Sequence, residues 1–556
     1  MENCKVFVVG LDGATLDLIR PWAEQGHLPT LNRLMEQGVS APLASTFPPL
    51  TGPAWSSFIT GKSPGRHSVL EFFRRQEGTY RQVLNSRHNI DGKSLWRLLS
   101  DAGKKVGVMG LPLTYPPEPV NGFLVTGLLT PPDCRDFTQP PELLDELQAH
   151  LGHYRLRHDE KYRKTNPLPF LHEQNEILEN NTQAALYLMS NKPWDFFMVH
   201  FLGTDRIQHE FWHVLDPNHP QHDPAERERL GNVVLDFFKK VDAALGRLLD
   251  LLDKETVIFI MSDHGFGPIH KFINFNTWLL NEGLLQLKPT FGAQLRRLLF
   301  RLGFNYSVMG KWVLKFGLGR QAKEMGRGRR EDLQRRFFLS LDDVDWSQSC
   351  VYSIGNFGQL FINLKGREPQ GIISPGAEYQ ELLDDLTRRL QALVDPQTGR
   401  PVIGPIFRRK DVYNGPYAER SADLMFLTHK MEYKAMGLSD FSSPHVFGPV
   451  YGTTGHHRVN GVLICHGSDI INKDAKLKNA RIFDLAPTIL HLMGQPIPRE
   501  MDGNVLLELF TPKFRQQHPV VFTQEGESLT SESQSVYSEQ EEAQVMDMLR
   551  SLGYVT

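Results

Sequence analysis

The chain has 556 residues, of which 40% are hydrophobic and 22% charged, with a formal net charge of −3. That length supports a large core carrying insertions, and the near-neutral balance gives no global reason to expect specific nucleic acid binding. Cys4, Cys134, Cys350 and Cys465 lie far apart and form no CxxC pair, which excludes a disulfide framework and a cysteine zinc knuckle.

The opening "MENCKVFVVGLDG" holds a short apolar run followed at once by an acid, so it reads as a first core strand and not as a secretory signal. No run of 18 apolar residues suggests a membrane span, and the expectation is a soluble cytoplasmic protein. "PTLNRLMEQG" (29–38) predicts a helix, with Pro at its start and Gly at its stop. In "FPPLTGPAWSSFITG" (47–61) a short helix is expected, with Gly52 as N-cap, Pro53 at the first helical position and Gly61 as the stop. "SLWRLLSDAG" (94–103) repeats the helix pattern, and "ERERLGNVVLDFFKKVDAALGRLLDLLD" (226–253) reads as one longer helical stretch. Between these, "KVGVMG" (105–110), "DFFMVHF" (195–201), "TVIFIMS" (256–262) and "GVLIC" (461–465) join "KVFVVG" (5–10) as strands buried on both faces.

Residues from about 290 to 440 break this alternation. The stretch 291–340 holds 12 Lys+Arg against 3 acids, readable as a solvated helical cap or as a basic rim for an anionic substrate or membrane surface. "CVYSIGNFGQLFINLKGRE" (350–368) predicts a hairpin turning near Gly355–Asn356. "IFDLAPTILHLMG" (482–494) returns to helix. A Ser/Glu/Gln-rich connector follows, ending in "EEAQVMDMLRSLGYVT", which regains helical spacing. The expected organisation is a discontinuous core of 1–290 and 440–511, a cap insertion of 291–439, and 512–556 as a flexible acidic connector with a C-terminal helix. Strand–helix alternation on this scale predicts an α/β/α sandwich around a mostly parallel sheet.

Acids and histidines cluster after the strands. Asp12 follows the first, Asp205 and His209 follow "FFMVHFLGT", and Asp263 and His264 follow "VIFIMS". In an open parallel sheet the carboxyl ends of the strands form the ligand edge. His456 and His457 precede their strand and must reach that edge from a loop. Asp and neutral His are the usual donors for zinc and similar ions. Asp205 and His209, four apart on a helix, face the same way. The short helix aims its positive end at whatever sits beside Thr51, and a divalent cation would convert that hydroxyl to an alkoxide. Each residue alone has a structural explanation: Asp12 as a helix cap, Thr51 as a loop hydroxyl, Asp205 and His209 as a surface pair. Trp55 and Phe58 read as core contacts. His27, His67 and His270 lack a partner at ligand spacing.

Taken in order, "GLDG", "TGPAWSSFITGKSPGRH", "GTDRIQH", "SDHGFG", "GHHRVNGVLICHG" and "DLAPTILHLMGQPIP" followed by "MDG" resemble the alkaline phosphatase superfamily, in its type I phosphodiesterase/nucleotide pyrophosphatase branch. The resemblance covers about 5–290 and 440–510. It implies a metal-dependent hydrolase with an alkaline-phosphatase-like fold and two divalent ions, Zn²⁺ by donor type with Mn²⁺ compatible. One ion would be held by Asp12, Asp263, His264 and the Thr51 oxygen. The other would be held by Asp205, His209 and His457, with His456 the alternative to His457. Thr51 would attack a small-molecule phosphoester or nucleotide-like substrate at a diester or pyrophosphate linkage, forming a phospho-threonine intermediate. A phosphomonoesterase, phosphonate hydrolase or phosphomutase on the same scaffold is the alternative, followed by a non-catalytic binding protein. Two departures stand out. Nucleotide pyrophosphatases usually carry Asn where this chain has Ala54. The Cys/Ser-x-Pro-x-Arg pattern of sulfatases is also absent from Thr51-Gly52-Pro53-Ala54-Trp55.

Overall fold

A computed structural model describes residues 4–154, 156, 160–304, 337–437, 441–467, 470–524 and 536–552. The apolar runs form the centre of an eight-stranded sheet. Its strands are β1 (Val6–Leu11), β2 (Val39–Ala44), β3 (Val106–Leu111), β4 (Gly122–Thr126), β5 (Thr138–Gln139), β6 (Phe196–Phe201) and β7 (Val257–Met261), with β12 (Asn460–His466) arriving late in the chain. The spatial order is β2-β12-β7-β1-β6-β3-β4-β5. β1 lies between β6 and β7, parallel to both, with Val6 opposite Phe196 and Val257. β3 continues the parallel set beside β6 and β4. Every residue of β1, β6 and β7 is buried, as near-continuous Val, Ile, Phe and Met requires of strands covered on both faces.

The ends of the sheet are antiparallel. β12 runs against both β7 and β2, and β5 runs against β4. Helices Leu168–Asn191, Pro29–Gln37 and Val233–Leu249 pack together in one layer. Thr51–Thr60, Leu95–Asp101 and Leu485–Leu492 group through their own contacts in another, giving the α/β/α sandwich.

The helical stretch expected over 226–253 is two helices, Pro224–Leu230 and Val233–Leu249. Gly231 breaks them by taking φ 63°, a left-handed value that glycine reaches without a side-chain clash. A second core surrounds Trp278, Leu360, Leu386 and Phe426. It is built on an antiparallel sheet in which Val351–Ser353 pairs with Gln359–Ile362, so the hairpin turns at Gly355–Asn356 as its sequence suggests. Most of the basic stretch falls in 305–336, outside the described residues. Past 512 the chain forms a helix, Pro512–Gln517, and Phe522–Thr523 pairs with Ile497–Pro498; 525–535 again lie outside. Ser538 and Glu541 cap the final helix, Glu539–Ser551, whose Val545 and Leu549 enter the main core. Among the described residues no helix is long and apolar enough to cross a membrane.

Candidate metal centre and nucleophile

Helix α1 (Thr51–Thr60) starts two residues earlier than its sequence suggests. Leu50 is the N-cap, in extended conformation, and Ala54 N–H donates to Leu50 O, which places Thr51 in the first turn. Gly61 ends the helix at φ 67°, as expected. Thr51 is fully buried, and its Oγ1 lies 3.2 Å from His264 Nε2.

The seven residues singled out in the sequence meet at this point. Asp12 leaves β1, Asp205 and His209 sit on helix α2 (Gly203–Leu215), and Asp263 and His264 follow β7. His264 Nε2 is 3.2 Å from Asp263 Oδ2 and 3.6 Å from Asp12 Oδ1. His209 Nε2 and His457 Nε2 are 3.1 Å apart, and each lies 3.4 Å from Asp205 Oδ1. All seven are at most 1% exposed, so Asp205 and His209 are not a surface pair. Nor is Asp12 a cap: the following helix, Leu16–Glu24, is capped by Thr15.

His456 and His457 do not lie in a loop. They belong to strand β11 (Gly455–Arg458), which pairs antiparallel with β8 (Gly265–Pro268), Phe266 opposite His457. The polar run "TTGHHRVNG" hides this, because a strand's partner is chosen by tertiary geometry and not by its own composition. Arg458 fixes this strand pair by donating to the carbonyls of His456, His457 and Pro268.

Hydrogen bonding sets the donor atoms. The Nδ1 atoms of His209, His264 and His457 lie 2.8, 3.0 and 2.9 Å from the carbonyl oxygens of Gly455, Gly265 and Pro49. Each Nδ1–H donates to its carbonyl, which leaves the Nε2 lone pairs converging. Burial holds His264 well below the ordinary histidine range and brings His457 down to about 4, so both rings are neutral near pH 7. Burial and the neighbouring Asp263 and Asp205 push Asp12 well above the carboxylate range, and burial pushes Asp263 up to about 8. Asp12 Oδ1 and Asp263 Oδ2 are buried without a hydrogen bond. Three buried carboxyl groups crowded among converging imidazole nitrogens form a donor set suited to divalent cations. Three groupings have ligand atoms within 4.8 Å of one another: Asp12 with Asp263 and His264, as expected for one ion, then Asp205 with His264 and His457, and His209 with His456 and His457, which divide the second expected set between them.

Two supporting residues were missed. Asp12 Oδ2 accepts from Trp55 Nε1 at 3.1 Å and lies 2.9 Å from His200 Nε2. Trp55 is a core residue, as expected, and a donor as well. His200 sits inside an apolar strand, and the signal for it was that a buried histidine needs a partner. Gly13 N–H donates to Asp263 Oδ1 at 3.0 Å. His67 is buried elsewhere, with Nε2 2.9 Å from Ser57 Oγ.

A family model described as type I phosphodiesterase / nucleotide pyrophosphatase matches residues 6–430. Among solved structures, phosphonoacetate hydrolase from Sinorhizobium meliloti 1021, in complex with phosphonoformate, superposes with a TM-score of 0.53 at 15% identity. That match covers 87% of this chain and 94% of the hydrolase, and it shows a shared fold. Among curated proteins, GPI ethanolamine phosphate transferase 3 of Schizosaccharomyces pombe is 28% identical over 106 residues, 18% of this chain. GPI ethanolamine phosphate transferase 2 of Eremothecium gossypii is 24% identical over 110 residues, 20% of this chain. These matches span only 9% and 12% of the lengths of those relatives.

Proposed function

The chain belongs to the type I phosphodiesterase/nucleotide pyrophosphatase family of metal-dependent hydrolases, and from that premise we propose that it cleaves phosphoesters, at a diester or pyrophosphate linkage, with Thr51 as nucleophile. The observation that carries this reading is the position of Thr51 Oγ1, buried 3.2 Å from His264 Nε2, a nitrogen that itself lies 3.2 Å from Asp263 Oδ2 and 3.6 Å from Asp12 Oδ1. Asp12, Asp263, His264 and the Thr51 oxygen would hold one divalent ion; Asp205, His209 and His457 would hold a second. The donor set suits Zn²⁺ best, with Mn²⁺ compatible. When bound, such ions lower the pKa of an alcohol and offset charge on phosphoryl oxygens.

The chain's own residues do the rest. Thr51 Oγ1 forms a bond to phosphorus as the bond to the leaving oxygen breaks, so the phosphoryl group rests on Thr51. Water then takes the phosphoryl group and the threonine hydroxyl is restored. The first turn of α1 presents its positive end to the phosphoryl oxygens. Gly455, Gly265 and Pro49 keep the three imidazoles in the tautomer that points Nε2 inward. Burial around the attacking oxygen lowers the local dielectric and strengthens every charge interaction there.

The test compares wild type with Thr51→Ala on bis-p-nitrophenyl phosphate and p-nitrophenyl phosphate, with and without a chelator. The expected result is turnover by wild type that Thr51→Ala abolishes and chelation stops reversibly. Equal rates for the two proteins would remove Thr51 from the reaction. Turnover that survives chelation would favour a plain alcohol–base pair of Thr51 and His264, because His264 Nε2 also stands where it could accept the hydroxyl proton.

A further inference from the structure

Helix α3 (Phe291–Arg301) carries apolar side chains on two opposite faces. Thr290 caps it, the threonine hydroxyl accepting from Ala293 N–H. Ala293 and Phe300 are buried and form its seat. Phe300 enters the second core, its ring centroid 5.9 Å from that of Phe441. The same core takes Ile273 from β9 (Lys271–Asn274) and Ala435 from β10 (Tyr433–Met436). Phe291, Leu295, Leu298 and Leu302 follow at i, i+4, i+7 and i+11, so at about 100° per residue they line up in one stripe, turned away from Ala293 and Phe300. All four are exposed, Phe291 at 84% and Leu302 at 67%, and Phe304 just beyond them is exposed as well. Scattered apolar residues on a surface are ordinary; a continuous row of large ones is a contact surface.

The charge beside the stripe selects its occupant. Residues 291–304 hold Arg296, Arg297 and Arg301 and no acid. Arg296 is tied to the body of the protein, its Nε 3.0 Å from Asp343 Oδ2. Arg297 and Arg301 are left on one flank of the stripe, and among the described residues neither pairs with an acid. The sequence from 291 to 340 keeps the same bias, with 12 Lys+Arg against 3 acids. A second copy docked through this stripe would set arginine against arginine, because an isologous contact matches a patch to itself. An anionic lipid surface takes both parts at once: acyl chains accept the Phe and Leu side chains, and headgroup phosphates accept the guanidinium groups. We propose that α3 docks the protein peripherally on an anionic membrane surface. Phe291, Leu295, Leu298 and Leu302 enter the interface, and Arg297 and Arg301 lie at the phosphates. The helix has 11 residues, about 16 Å of length, and lies along the surface because it is too short to span the hydrocarbon. This inference does not depend on the phosphoester reading.

The experiment is flotation of the full chain with vesicles of phosphatidylcholine alone, or of phosphatidylcholine in which roughly one lipid in three is phosphatidylglycerol. Wild type is compared with Leu295→Gln/Leu298→Gln and with Arg297→Gln/Arg301→Gln, and thermal melts check that each variant is folded. Wild type should float with the phosphatidylglycerol vesicles and much less with phosphatidylcholine alone, and about 1 M salt should weaken the binding. Partitioning should fall about 10–30-fold in the arginine variant and about tenfold or more in the leucine variant, with melting unchanged, since all four positions are on the outer side of the helix. Failure of wild type to float with the anionic vesicles would overturn the proposal, as would binding that both variants retain. Equal binding to the two vesicle types would overturn the anionic assignment. Sedimentation of the same proteins without lipid supplies the remaining arm. A dimer that Leu295→Gln/Leu298→Gln dissociates, in a protein that binds neither vesicle, would give the stripe to a second copy and overturn the membrane contact.

Discussion

Asp12 shows how a buried carboxylate is divided between support and function. One oxygen accepts from the Trp55 indole and faces His200; the other has no hydrogen bond and points toward His264. Outer partners of this kind fix a ligand's orientation, and their loss typically weakens metal binding by about 10–100-fold. Trp55→Phe and His200→Ala are each expected to weaken Zn²⁺ affinity within that range, measured by competition with a chromophoric chelator. Unchanged affinity would reduce both residues to packing. Of the proposed ligands, Asp12, Asp205, His209, Asp263 and His264 were legible because each followed a recognisable strand or sat at helical spacing from another, whereas His457 rested on the family resemblance. Trp55 and His200 were not legible in these roles. Their partners lie 43 or more positions away or on another element, and nothing in the local sequence distinguishes a core tryptophan from one that donates to a carboxylate.

At the scale of elements, β1 carries the burden of bringing Trp55 close. Gly10 is bare because a Cβ there would lie 2.7 Å from the Trp55 ring and 3.1 Å from His200. Gly10→Ala should therefore overpack this contact, costing about 1–3 kcal/mol of stability. It should also lower metal affinity through the displaced indole. Thermal melts of metal-free and metal-loaded protein separate the two effects, and a shift confined to stability would show that the Trp55 contact is not transmitted to Asp12. The strands were readable because uninterrupted Val, Ile, Phe and Met runs have few other uses in a chain of this size. The β8–β11 pair was not, since Gly, His and Arg carry no strand signature. Gly231 looked like a tolerated glycine inside one helix, and only its left-handed φ shows it as the break.

Across the whole molecule, buried charge is not confined to the centre: Asp242, Asp395, Asp423 and Lys434 are buried as well. Lys434 illustrates the consequence. Burial lowers its ammonium to about 8 from an ordinary 10.5. Its folded pKa lies below the unfolded one, so its contribution is most favourable above pH 10.5 and is lost as pH falls through about 8. At pH 7 the metal-free Lys434→Met variant should be more stable than wild type, by at most roughly 3 kcal/mol. The difference should shrink as pH rises from 7 to 10. Denaturant melts across that range check it, and a pH-independent difference would mean that the charge is not the cause. Alternation of strands and helices foretold the sandwich, while the antiparallel sheet edges depend on long-range returns of the chain that local pattern does not encode. The most direct test of the account is acid quench of the metal-loaded protein during turnover, followed by mass spectrometric mapping of phosphoryl groups. The expected result is a phosphoryl group on the peptide carrying Thr51, absent in Thr51→Ala. Steady turnover with that peptide unmodified throughout, or with the phosphoryl group on another residue, would contradict it.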